Sequence, residues 1–140
     1  MGYFYVLLTR LALSVPFAPL RRAVYLLILT ACVSLSCSVL IPYLPREIPD
    51  WAALHTFLAA ASCVLLAVTL LLLLLYRRER GLLWGWLIMV AGCGVLFLRG
   101  GMVTSALEVF FTLSAALLTR ALWIRQYPRR QTLHIRRSRP

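Results

Sequence analysis

Residues 52–76 read AALHTFLAAASCVLLAVTLLLLLLY, a run without a single Asp, Glu, Lys or Arg. A helix over this run rises roughly 37 Å at ~1.5 Å per residue, more than the ~30 Å hydrocarbon core of a bilayer. Three further apolar stretches lie around it, at 23–41, 82–98 and 102–124, separated by short polar joints. No water is present in the bilayer core to satisfy backbone N–H and C=O groups, so a spanning segment is a helix or a strand of a closed barrel. These runs lack the apolar/polar alternation of a barrel wall. The fold class expected is therefore all-α: an integral membrane four-helix bundle with spans at about 23–41, 52–76, 82–98 and 102–124.

Composition excludes a water-soluble globule. Hydrophobic residues make up 62% of the 140 positions, leaving too little polar surface to face water. The length suits one compact bundle over 21–125, flanked by an N-terminal segment (1–20) and a basic tail (126–140), with no room for a separate soluble domain.

Orientation follows from the arginines. Arg10, Arg21 and Arg22 precede the first span; Arg77, Arg78 and Arg80 separate the second and third; Arg120, Arg125, Arg129, Arg130, Arg136, Arg137 and Arg139 close the chain. Only Arg46 and Arg99 fall on the alternate joints. An excess of basic residues marks the cytoplasmic side, so both termini are expected to be cytoplasmic. All fifteen basic residues are arginine and asparagine is absent, as codon usage in a GC-rich genome produces, and the bacterial inner membrane is the expected location.

The first twenty residues hold Tyr3, Phe4, Tyr5, Val6, Leu7, Leu8, Leu11 and Leu13, broken by Arg10 and ended by Pro16 and Pro19. This segment is too short to span and reads as a short interfacial amphipathic helix. At the other end, Arg125, Arg129, Arg130, Arg136 and Arg137 are expected to meet anionic lipid head groups, each contributing roughly 1 kcal/mol. No nucleic acid is expected as partner, because no fold or row of aromatic residues surrounds those charges.

Small residues at helical spacing name the packing faces: Thr30, Ser34 and Ser38 in the first span, Ala59, Cys63 and Ala67 in the second, Gly81, Gly85 and Gly92 in the third. Such stripes allow close approach of backbones, and in lipid packing replaces the hydrophobic effect as the force between helices. The stripes are expected to meet within one chain, although the glycine stripe serves a homo-oligomer equally well. Arg99, Gly100 and Gly101 are read as a tight turn between the third and fourth spans. The joint between the first two is stiffened by Pro42, Pro45 and Pro49, with Asp50 at the N-cap of the second span and Trp51 as an interfacial anchor.

Chemistry is sparse. No catalytic, nucleotide-binding or metal-binding signature is present, so no catalytic residue, cofactor or metal is assigned. Cys32, Cys37, Cys63 and Cys93 all fall inside spans, without a C-x-x-C pair, and read as small packing residues. Glu108 is the exception: it is expected about 9 Å inward from Met102, and an ionisable group inside a membrane is a candidate functional site. Thr104 and Thr112 flank it by one turn, while His55 and Arg99 sit at the same level of neighbouring spans, beneath a lid bearing Arg46, Glu47 and Asp50. The bland reading is a structural Glu108–Arg99 pair with His55 hydrogen-bonded at the interface. The sharper one is a ligand or proton site of Glu108, His55, Arg99 and Thr112.

Three functions are consistent with these features. The chain reads first as a non-catalytic helical subunit or regulator, packing against itself or against another membrane protein. Second comes an oligomeric transporter, channel or lipid-binding protein with an outward-facing site. A membrane-embedded enzyme using the same cluster comes last, since no nucleophile is marked by a motif.

Overall fold

The computed structural model describes residues 2–43, 46–100 and 105–137, with side chains at 5–43, 46–100 and 106–125. Five helices account for it: α1 (Gly2–Leu13), α2 (Ala18–Leu40), α3 (Pro49–Arg77), α4 (Arg80–Gly100) and α5 (Ser105–Arg137). Four of them, α2, α3, α4 and the Ala106–Arg125 part of α5, are long and apolar enough to cross a membrane.

The helices outrun the apolar stretches because hydropathy marks the lipid-like core of a helix, not its capped ends. Pro19 and Pro49 fall in the first turns of α2 and α3, where a missing N–H costs nothing and the fixed φ fits the helix. Ile48, not Asp50, is the N-cap of α3, and Asp50 lies in the first turn. There its carboxylate favours the positive end of the helix dipole without capping it. Arg99 and Gly100, expected in a turn, instead form the last residues of α4; Gly101 and Thr104 lie outside the described residues, as does Pro45.

Between α3 and α4 the chain reverses almost without a loop. Arg78 takes the left-handed conformation, φ 54° and ψ 35°, and the Glu79 N–H donates to the Leu74 carbonyl at 3.2 Å, the long bond of a Schellman-type helix end. The Glu79 carbonyl then accepts from the N–H groups of Leu82 and Leu83 at 3.0 and 3.1 Å, opening α4.

The main hairpin is α2 against α3; α4 joins it along α3, and α5 returns along α4. The α4–α5 pairing runs antiparallel, with Gly81 near Arg125, Gly85 near Leu118 and Gly92 near Phe110. A Cβ at Gly92 would stand 2.7 Å from two carbons of the Phe110 ring, and one at Gly85 would stand 2.9 Å from a Leu118 methyl. These glycines are therefore occupied within the chain. Ala67 serves the α3–α4 contact differently: the indole N–H of Trp86 reaches its carbonyl at 2.9 Å. Met89 alone is buried among the residues of α4, whose outer face shows Trp84, Ile88 and Leu98.

α2 and α5 hardly touch; α1 lies between them. Leu7, Leu8, Leu11 and Ala12 of α1 are buried, as is Val15 just beyond it, and Leu8, Leu11, Ala12 and Val15 join a core with Val24, Ile28 and Leu122. The short N-terminal helix is thus present, but its apolar face is covered by protein where the sequence alone suggested a layer of lipid. The reason is tertiary: two helices that do not meet leave a seam, and a neighbouring amphipathic helix closes it. Arg77 fastens the arrangement by donating to the Ser14 hydroxyl just beyond α1.

Candidate functional site

α1 has 12 residues and α2 has 23, so α1 fills only the arginine-rich half of the seam. In the other half a cavity of about 140 Å³ remains between α2, α3 and α5, with Tyr5 of α1 in its lining. α3 supplies the back wall through His55, Ala59, Ser62, Cys63 and Leu66; α5 supplies Glu108, Phe111, Thr112 and Ala115; α2 supplies Leu35, Ser38 and Val39. Each set is one helical face at spacings of three and four. Val39, 75% exposed, and the exposed Glu108 stand at the rim, so the mouth lies between α2 and α5.

Three polar side chains of the lining share one character, while Tyr5, Cys63 and Thr112 also bring O–H or S–H groups to it. Ser38 donates its hydroxyl proton to the Leu35 carbonyl at 2.8 Å and Ser62 donates to Ala59 at 2.8 Å, which leaves only oxygen lone pairs for the cavity. His55 Nδ1 lies 3.0 Å from the Ile41 carbonyl. A carbonyl accepts only, so Nδ1 carries the proton and, in the neutral ring, Nε2 is an acceptor. The same ring stands 5.5 Å from that of Tyr43, tying the back wall to the segment that follows α2. Glu108 adds a carboxylate. The wall therefore presents acceptors at four residues: Ser38, Ser62, His55 and Glu108.

Of the site read from sequence, the structure brings Glu108, His55 and Thr112 to one cavity. Arg99 is not among them: it is exposed at the end of α4. Gly92 pairs with Phe110, which puts Glu108 near the level of Gly94, and Arg99 lies about five residues, ~7 Å, farther along. Among the described residues the ion pair is instead Arg125–Glu79, 2.9 Å, so the expected Glu108–Arg99 neutralisation is not made. Nor is Glu108 deep in its helix. It falls in the first turn of α5, where the unsatisfied N–H groups of the helix end favour a carboxylate without a cationic partner.

Ser38, Ala59 and Cys63, singled out for their small size, also line the cavity; Ser34 is half-buried on α2. Tyr5 and Ser62 were missed by sequence reasoning. The spacing of Ser62 from His55 and Ala59 placed it on the same face, whereas nothing local to residues 1–13 indicates that Tyr5 reaches this level. Cys32, Cys37, Cys63 and Cys93 are free thiols. Arg125 faces Glu79; Arg129, Arg130, Arg136 and Arg137 belong to the helical backbone of α5, but their side chains lie outside the described residues.

The molecule is thus of the class of helical bundles with four membrane-length helices and one half-length helix that stops short of a partly open cavity. Comparison with protein-family models, with curated proteins and with solved structures gave no match.

Proposed function

We propose that the protein is an integral membrane protein, with both termini on the cytoplasmic side of a bacterial inner membrane, that binds the apolar part of a membrane-borne ligand in the cavity between α2, α3 and α5. The observation that carries this reading is the half-filled seam: two helices held apart, a mouth flanked by the exposed Val39, and acceptor groups beside apolar side chains. The volume suits it, since a cavity of roughly 150 Å³ lined by apolar side chains takes up benzene. Orientation rests on the arginines: Arg77, Arg78 and Arg125 gather with Ser14 and Glu79 at one end of the bundle. A catalytic role is less supported, because the cluster lacks Arg99, the group that would have held an anion.

Reading the chain as a non-catalytic subunit for another membrane protein keeps one supporting observation, the unburied outer face of α4 with Trp84, Ile88 and Leu98. The glycine stripe no longer argues for it, since Gly85 and Gly92 face α5.

A photoreactive apolar alcohol added to the protein in lipid nanodiscs tests the proposal. It labels cavity peptides of α2, α3 and α5 and also the outer face of α4. Val39→Trp at the mouth should cut cavity labelling several-fold and leave α4 labelling unchanged. Equal labelling of the cavity peptides in wild type and Val39→Trp would refute occupancy through this mouth.

A further inference from the structure

Resting on the ligand-binding reading above, we infer that the cavity selects a primary ammonium carried on an apolar body, with its N–H groups donated to Glu108 and to the acceptors of α2 and α3. The basis is an inventory of donors. Ser38 and Ser62 have already given their protons to Leu35 and Ala59, and His55 has given Nδ1–H to Ile41, so these three meet a ligand as acceptors beside the Glu108 carboxylate. Tyr5, Cys63 and Thr112 can donate, and the preference rests on Glu108 and the three acceptors acting together. An alcohol brings one proton. A primary ammonium brings three and a charge, matching several acceptors at once.

Charge alone would not distinguish a primary from a quaternary ammonium. Glu108 sits at the positive end of α5, which offsets part of its field. What remains is a directional demand for N–H donors, and charge-assisted hydrogen bonds are roughly twice as strong as neutral ones. The apolar body lies over Leu66, Phe111 and Ala115, farther along α3 and α5 from the rim than His55 and Glu108. A cavity of about 140 Å³ takes a ring or a few methylenes, and the rest of the body trails through the mouth past Val39.

Two sources carry this chemistry: a free alkyl amine dissolved in the membrane, and an aminoethyl lipid head group. Both are covered by a competition experiment with the full chain in phosphatidylcholine nanodiscs. A diazirine-bearing alkylamine labels cavity peptides; n-octylamine, n-octanol and octyltrimethylammonium compete, at concentrations expressed as mole fraction in the bilayer. The expected result is that octylamine competes at about tenfold lower mole fraction than either of the others. Glu108→Gln should remove most of that advantage while octanol competes as before, and Ser62→Ala should reduce it by a smaller factor.

Equal competition by octanol and octylamine would overturn the ammonium inference and leave the cavity reading standing. Equal competition by octyltrimethylammonium would overturn the donor argument. Absence of cavity labelling by both the diazirine-bearing alkylamine and the photoreactive apolar alcohol would overturn the underlying reading itself. Added phosphatidylethanolamine that lowers alkylamine labelling supports the inference with the lipid head group as source; octylamine competition insensitive to that lipid supports it with a free amine.

Discussion

Gly92→Ala is the sharpest probe of the helix pairing on which the cavity depends. The new Cβ would stand 2.7 Å from both Cε1 and Cζ of Phe110, whereas carbon atoms reach their optimal contact near 3.5–4.0 Å. The ring or the helix must therefore yield by about 1 Å. Overpacking of this kind costs about 1–3 kcal/mol, set against a gain of up to ~1 kcal/mol from replacing glycine by alanine in a helix. Gly94→Ala is the matched control: it lies in the same helix and its Cβ would meet nothing within 4 Å, so only the propensity gain applies. Reversible unfolding in bicelles should place Gly92→Ala below Gly94→Ala by about 1–3 kcal/mol. Adding Phe110→Ala should recover part of that gap, since the two side chains share one contact. Equal stability of the two alanine variants together with no coupling to Phe110 would refute the Gly92–Phe110 contact and with it the level assigned to Glu108.

Two further outcomes follow from the seam and the turn. Leu11→Ala, at a fully buried position, should cost about 2–5 kcal/mol in the same unfolding assay; a near-neutral result would mean that α1 does not pack between α2 and α5. Arg78→Gly should stabilise by about 0.5–1 kcal/mol, because its φ of 54° strains a residue bearing a Cβ and suits glycine; a destabilised variant would show that the left-handed turn is wrongly assigned.

Much of the architecture was legible in the residues themselves. Twenty-five uncharged positions from Ala52 to Tyr76 leave a backbone in lipid no choice but to satisfy itself, and that requirement is local. One face of α3 was legible in part for the same reason: His55, Ala59 and Cys63 fall four residues apart and share a side whatever surrounds them, although the cavity on that side was not legible. Glu108 and Thr112 likewise share a face one turn apart.

Position along a neighbouring helix was not legible. Arg99 belonged at the level of Glu108 only if α4 and α5 joined through Arg99 and Gly100; the extension of α4 through both residues, and the fit of Gly92 against Phe110, displaced it. The same holds for α1. Its pattern of Leu7, Leu8 and Leu11 announces an apolar face but not what covers it, because membrane lipid and a protein seam satisfy that face equally well. Only the tertiary structure, in which α2 and α5 stand apart, turned a surface segment into a core helix. Sequence thus determined which segments are helices and which faces are apolar, since both follow from interactions within a few residues. Tertiary structure decided where a half-length helix ends, and therefore where the bundle holds a cavity, since that depends on which distant helices fail to meet.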